Sequence, residues 1–277
     1  MPGYSVWRST GSGAEMPSVF LPDLRLHYRD EGPKDGPPLV LCHALGLDLT
    51  IWDDLVGRLP ASLRIIRPDM RGHGQSDTPA PPYAMGALVR DLERLMDHLS
   101  IRDAVVLGLS IGGLVAQGLA VKRLDLVRGL ILSNTAVKIG TPATWQARIE
   151  AVETGGIAAV ADQVLERWFG RAFRAGPDLP AWRQRLLATS PAGYVGCCAA
   201  IAGADFYTPT AGLRLPTLAV AGSDDGATPP DLVRETAELI PGAEFTLIRG
   251  AGHLPFVEQP DAYGAVIAGF LQRIAHV

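Results

Sequence analysis

Between residues 39 and 132, apolar runs of strand length alternate with longer segments of helical spacing, and this alternation restricts the fold more than any other feature. Leu39-Val40-Leu41-Cys42, Leu63 to Arg67, Ala104 to Leu107 and Val127 to Leu132 are compact strand candidates. Among them, residues 50–59 read as a short helix and 111–122 as a helix of small residues. In residues 84–99, Leu88, Leu92, Leu95, Met96 and Leu99 recur at helical spacing. Apolar strands separated by helices predict a mostly parallel sheet covered on both faces. Two further strand candidates, 17–21 and 24–30, flank the turn signal Pro22-Asp23 and predict an antiparallel edge. The Gly-, Ser- and Thr-rich residues 1–16 read as a loose arm.

The alternation then stops. From about 137 to 212 only helical signals occur, in the segments 142–154, 156–169, 180–189 and 191–204. Thr141-Pro142 and Ser190-Pro191 each set a capping residue before a proline at the first helical position. Strand and helix alternate again with Thr217 to Val220, a helix at 229–240, a strand at 243–248 and a closing helix at 260–274. The chain is therefore read as α/β, with an eight-stranded core formed by residues 1–136 and 213–277. Residues 137–212 are read as an all-helical lid over the carboxyl ends of the strands, where open α/β sheets bind ligands.

Composition removes several classes of function. The chain has 277 residues, of which 47% are apolar, enough for one sizeable core. A net charge of −4, with no charge blocks, gives no footprint for nucleic acid. No apolar run reaches membrane-span length, and no basic segment followed by an apolar stretch opens the chain. The three cysteines are Cys42, in a strand candidate, and the adjacent Cys197 and Cys198, which read as semi-buried helix residues. An odd, small count fits a reducing compartment, and the expected location is cytoplasmic. With no His-x-x-x-His or Cys-x-x-Cys pair and no phosphate-binding glycine loop, neither a metal nor a cofactor is expected.

Chemistry enters at Gly108-Leu109-Ser110-Ile111-Gly112, between the strand at 104–107 and the helix at 111–122. A sharp strand-to-helix turn strains the serine backbone and demands small neighbours two residues to either side, a need that Gly108 and Gly112 meet. Such a turn lifts the hydroxyl clear of the sheet and aims a helix N-terminus at a developing oxyanion. A serine hydroxyl needs a base, and the expected chain order is serine, acid, histidine. Only His253 and His276 lie beyond Ser110; His276 occupies the penultimate position and reads as part of a fraying terminus. His253 follows the strand at 243–248 in Gly250-Ala251-Gly252-His253, from where an imidazole can reach the serine; the alternative is a loop histidine bonded to backbone.

The acid is sought in Gly222-Ser223-Asp224-Asp225-Gly226-Ala227-Thr228-Pro229. Because Thr228-Pro229 starts the next helix, Asp225 lies deeper in the loop and is preferred. Asp224 is the alternative, with a solvated or capping role otherwise. Asn134, after the strand at 127–132, cannot serve as an anion. Backbone amides of Ile111 and Leu45, the latter in His43-Ala44-Leu45-Gly46, are the expected oxyanion hole. His43, and His73 in Arg71-Gly72-His73-Gly74, read as hydrogen-bonded scaffold residues rather than bases.

Beyond these motifs, the chain resembles 3-oxoadipate enol-lactonases of the β-ketoadipate pathway, a branch of the α/β-hydrolase superfamily, over roughly residues 20–274. The resembling stretches are His43-Ala44-Leu45-Gly46 with Trp52-Asp53, Asp69-Met70-Arg71-Gly72-His73-Gly74, and Gly108-Leu109-Ser110-Ile111-Gly112-Gly113. Leading into and through the helical segment they are Ser133-Asn134-Thr135-Ala136 followed by Trp145 and Arg148, Glu166-Arg167-Trp168-Phe169, and Gly193-Tyr194 with Cys197-Cys198-Ala199-Ala200. The resemblance implies a catabolic enzyme of aromatic compounds that opens a small carboxylated enol-lactone. A carboxylate asks for a cation, for which Arg148 and Arg167 are candidates, each readable also as a solvated helix residue. Trp145 and Trp168 are candidates for pocket walls, or for packing between lid helices.

One departure stands out. Where members of that branch continue with Arg-Asp after Ile201, this chain has Ala202-Gly203, which opens related lactones and small carboxylic esters as substrates. Carboxylesterases, carbon–carbon bond hydrolases and perhydrolases use the same triad, and some proteins of this fold are ligand receptors. Retention of Ser110, Asp225 and His253 together argues against a receptor. The expected partner is a small ester or lactone, with no nucleic acid or membrane.

Overall fold

The computed structural model describes residues 17–277; the arm expected at 1–16 lies outside the described residues. The chain begins with β1 (Ser18–Phe20), β2 (Arg25–Glu31) and β3 (Pro38–Cys42), and then a single α-helical turn, α1 (Asp53–Val56). Next come β4 (Arg64–Pro68), α2 (Met85–His98), β5 (Ala104–Leu109), α3 (Ile111–Lys122) and β6 (Val127–Ser133). Six helices follow in succession: α4 (Pro142–Gly155), α5 (Ala158–Trp168), α6 (Arg171–Arg174), α7 (Leu179–Leu187), α8 (Pro191–Ala202) and α9 (Tyr207–Ala211). The chain returns through β7 (Thr217–Gly222), α10 (Pro230–Glu238), β8 (Glu244–Ile248), α11 (Pro255–Glu258) and α12 (Pro260–Arg273).

The eight strands form one sheet in the order β1-β2-β4-β3-β5-β6-β7-β8. β1 and β2 pair antiparallel, as does β2 with β4, and every other pairing is parallel. This is the predicted α/β architecture with its antiparallel edge. β5 and β7 are buried at every position, which requires cover on both faces. β3 and β5 are neighbours, and the connection leaving β3 runs to β4 on one side while that leaving β5 runs to β6 on the other; the crevice between their carboxyl ends is where ligands bind in open α/β folds.

Four expectations are corrected. The helix expected at 50–59 is a 3₁₀ turn, Leu49–Trp52, followed only by α1. Asp48 caps its start, accepting from Thr50 N at 2.8 Å, and Gly57 ends it. Cys197 and Cys198 are fully buried, not semi-buried, because α8 packs against α4 and α2. All three thiols are free, and burial pushes those of Cys42 and Cys198 up to about 12. His276 does not fray: it is buried, with Nε2 2.9 Å from the Pro38 carbonyl. Finally, α6, α9 and α11 are short helices beyond those expected from periodicity. Among the described residues no helix is long and apolar enough to cross a membrane.

Candidate active site

Ser110 sits at the N-cap of α3 with φ 56° and ψ −118°, a left-handed backbone that a β-carbon disfavours. The turn is tight enough to exclude side chains around it. A β-carbon on Gly108 would lie 2.2 Å from the Gly112 carbonyl oxygen, and one on Gly112 would lie 2.4 Å from that of Cys42. Thr135 Oγ1 donates to the Ser110 carbonyl at 2.6 Å, and Ser110 N donates to Ser133 O at 3.1 Å, so the strained residue is held from β6.

Leu45 follows β3, and Ile111 is the first residue of α3. Among the described residues neither backbone N–H has a protein acceptor, and both residues lie at the carboxyl ends of adjacent strands. The neighbouring histidines are scaffold groups in their contacts. His43 Nδ1 lies 2.8 Å from the Ala44 carbonyl while Nε2 accepts from Met70 N at 2.9 Å. His73 Nε2 accepts from Gly46 N at 3.0 Å, with Nδ1 3.2 Å from the Arg71 carbonyl. Each ring therefore donates through one nitrogen and accepts through the other, which requires it to be neutral. Burial, joined by the nearby His43, pushes His73 down to about 3.

Asp225 and His253 meet beneath the cavity. Asp225 Oδ2 is 2.8 Å from His253 Nδ1, and it also accepts from Asn134 Nδ2 and Thr228 Oγ1, each at 2.8 Å. Its Oδ1 accepts from Ala227 N at 2.7 Å and Thr228 N at 3.0 Å. Burial raises the pKa of this carboxyl, but His253, Asn134 and the Thr228 amide outweigh it and hold the group below its ordinary value. Asp224 points elsewhere: it is exposed and accepts from Ser223 Oγ at 2.7 Å.

Ser110, Leu45 and His253 line one cavity together with Trp145, Arg148, Arg167, Trp168 and Tyr194. It encloses about 670 Å³ of space, part of it open to solvent, and among the described residues none that lines it is acidic. No hydrogen bond joins Ser110 Oγ to His253 Nε2, a contact that commonly tightens only with substrate in place. Trp145 is buried, and its indole N–H is spent on the Ile139 carbonyl at 2.6 Å, leaving an apolar face to the cavity. The Arg148 guanidinium lies 5.1 Å from the centre of the Trp145 ring. Both Arg148 and Arg167 are half-buried, and neither has a carboxylate within ion-pair distance among the described residues; the adjacent Glu166 pairs with Arg174. Ala202 does not line the cavity, whereas Ile201 does.

Asn134, Thr228 and Tyr194 had no predicted part in the site. Asn134, which cannot be an anion, instead donates to the Asp225 carboxylate; the signal was its position just after β6, level with the Asp225 and His253 loops. Among the described residues no cluster of three His, Cys, Asp or Glu side chains is disposed to hold a metal ion.

Comparisons with known proteins agree with this architecture. Residues 37–260 match the family described as alpha/beta hydrolase fold. The chain is 33% identical over 253 residues to 3-oxoadipate enol-lactonase 2 of Acinetobacter baylyi, covering 91% of this chain and 94% of that one. Among solved structures, it is similar to the enol-lactonase of Burkholderia xenovorans LB400, with 36% identity and a TM-score of 0.89 over 92% of this chain and 100% of the other. A malate-bound thermophilic esterase from Thermogutta terrifontis is 32% identical, with a TM-score of 0.86 over 94% of this chain and 97% of that one. By fold, motif placement and likeness along nearly its whole described length, the chain belongs to the α/β-hydrolase family, in its 3-oxoadipate enol-lactonase-like branch.

Proposed function

We propose that this protein is a serine hydrolase that opens a small carboxylated enol-lactone through an acyl-enzyme. Ser110 is the nucleophile, His253 the base and Asp225 the acid that orients it, with the amides of Leu45 and Ile111 as the oxyanion hole. Residues 137–212 act as a lid on the core formed by 1–136 and 213–277, and supply Trp145, Arg148 and Trp168 to the pocket. The observation that carries this reading is one cavity in which a strained serine and an Asp-paired histidine face two guanidinium groups that have no carboxylate partner among the described residues.

His253 Nε2 takes the Ser110 proton as Oγ attacks the lactone carbonyl, and the Leu45 and Ile111 amides stabilise the oxygen that becomes negative. The ring bond breaks and its enol oxygen receives the proton back from His253. Since the leaving group belongs to the same ring, it stays tethered to the acyl-enzyme. Water, deprotonated by His253, then attacks the acyl carbon and frees Ser110 and the open-chain acid. An enol leaves more readily than an alkoxide, so little is asked beyond these groups.

Recognition of the substrate carboxylate falls to Arg148, supported by Arg167. Charge-assisted hydrogen bonds in a half-buried site contribute about 1.5–3 kcal/mol, or roughly 10- to 150-fold in binding. Arg148→Met keeps the stem over Trp145 and removes the charge. Its kcat/KM for 3-oxoadipate enol-lactone should fall about 10- to 100-fold, mainly through KM, with neutral p-nitrophenyl esters changed less than about threefold. A panel comparing that lactone, simple γ-lactones and p-nitrophenyl esters tests the reading; equal rates across the panel would remove the carboxylated lactone and leave a general esterase. A carboxylesterase for small anionic esters is the second reading. It is favoured by the Ala202-Gly203 departure and by likeness to the malate-bound esterase.

A further inference from the structure

The helical segment does more than cover the cavity, because its α5 end is stitched into the loops that carry the acid and the base. The Trp168 carbonyl accepts the backbone N–H of His253 at 2.7 Å, and the Arg167 carbonyl accepts that of Gly226, next to Asp225, at 3.0 Å. Their side chains line the cavity. One dipeptide thus faces the cavity with its side chains and holds both catalytic loops with its main chain. The approach is close: a β-carbon on Gly252 would lie 2.4 Å from the Trp168 carbonyl oxygen.

A single carboxylate locks this seam. Glu258, at the end of α11, accepts from Gly170 N at 2.9 Å through Oε1 and from Gly252 N at 2.6 Å through Oε2. Gly170 lies two residues beyond Trp168, and Gly252 immediately precedes His253. The backbone of His253 is therefore tied to the helical segment twice, directly at Trp168 and through Glu258 at Gly170. The Asn134 amide, 3.2 Å from the Gly252 carbonyl, fixes the third side of that residue while also bonding Asp225. Burial, with Asp224 and Asp225 nearby, lifts the Glu258 carboxyl above its ordinary value, opposed by the two amides that favour its charged form.

We infer that Glu258 is a positioning residue for catalysis, whose carboxylate bridges the helical segment to the His253 loop and holds the imidazole in line with Ser110. This rests on the Ser110, His253 and Asp225 reading of the site. Two acceptors facing two amide donors cannot be replaced by a carboxamide, since its NH₂ group turns a donor toward one of them. Glu258→Gln is otherwise isosteric, so its effect isolates the bridge from the packing. Glu258 touches neither the substrate cavity nor its arginines, so loss of the bridge should appear in kcat and in acylation rate rather than in KM.

The test is labelling of wild type and Glu258→Gln by a fluorophosphonate, with kcat and KM measured on parallel unlabelled samples and expressed per labelable site. Counting labelled sites corrects for any misfolded fraction. Wild type should label at Ser110, and Glu258→Gln should label at the same residue about 10- to 100-fold more slowly. Its kcat per site should fall by a similar factor, with KM within about threefold and partial recovery in Glu258→Asp. Wild-type kcat and labelling rate per site in Glu258→Gln would overturn the positioning role, whatever its thermal stability. Failure of wild type to label at Ser110 would instead overturn the underlying assignment of the nucleophile.

Discussion

Ser110→Ala should lose lactone and ester turnover by a factor of about 10⁴ to 10⁶ while remaining folded. The size of the effect follows from the reaction. Without the hydroxyl there is no acyl-enzyme, and only the oxyanion amides and the binding cavity remain to assist water. The substitution removes one oxygen from a side chain that makes no hydrogen bond to His253, so no buried partner in that pair is orphaned. The left-handed backbone at φ 56° tolerates alanine no worse than serine, since both carry a β-carbon. Thermal denaturation and steady-state kinetics on the same preparation check both halves of the expectation. Turnover within tenfold of wild type would remove Ser110 from the mechanism.

Asp225→Asn should lower kcat about 10⁴-fold, nearly as severe despite changing one atom that never touches substrate. Five donors converge on this carboxylate: His253 Nδ1, Asn134 Nδ2, Thr228 Oγ1 and the amides of Ala227 and Thr228. An asparagine offers one acceptor oxygen. If that oxygen keeps the two fixed amides, its NH₂ group must face Asn134, Thr228 and His253. The threonine hydroxyl can rotate to accept. The imidazole can do so only by moving its proton to Nε2, where it can no longer take the proton of Ser110. The stability consequence has a definite sign. Because the folded carboxyl sits below its ordinary value, the stability it contributes is present above the ordinary carboxylate range and is lost as pH falls through the lowered folded value. Above that range Asp225→Asn should therefore melt earlier than wild type, and the difference should shrink on acidification.

Much of this arrangement is legible along the chain, and the reasons are local. α3 runs over the predicted residues because a glycine-flanked serine before an apolar, small-residue run admits one kind of turn. The proximity of Asp225 to His253, rather than of Asp224, follows from Thr228-Pro229 fixing where the loop ends. What escapes the sequence depends on long-range company. Asn134 donates across a separation of 91 residues and Glu258 bridges one of 88, so neither bond is written in adjacent residues; Asn134 carries only its place just after β6, and Glu258 no local signal. Arg148 and Arg167 read more readily as solvated helix residues until α4 and α5 place both at one cavity. His276 illustrates the opposite error: a penultimate residue is expected to fray, yet its ring finds the Pro38 carbonyl on a distant strand. Burial of Cys197 and Cys198 likewise depends on α4 and α2, which pack against α8 from distant positions in the sequence.

Whether Ser110 carries the acyl group is tested by mass spectrometry of an acid-quenched reaction with p-nitrophenyl acetate, followed by peptide mapping. The expected result is a pre-steady-state burst of p-nitrophenol and one acetyl group per chain, located on Ser110 and absent from Ser110→Ala. Turnover with no acetylated enzyme, or with the acetyl group on another residue, would contradict it.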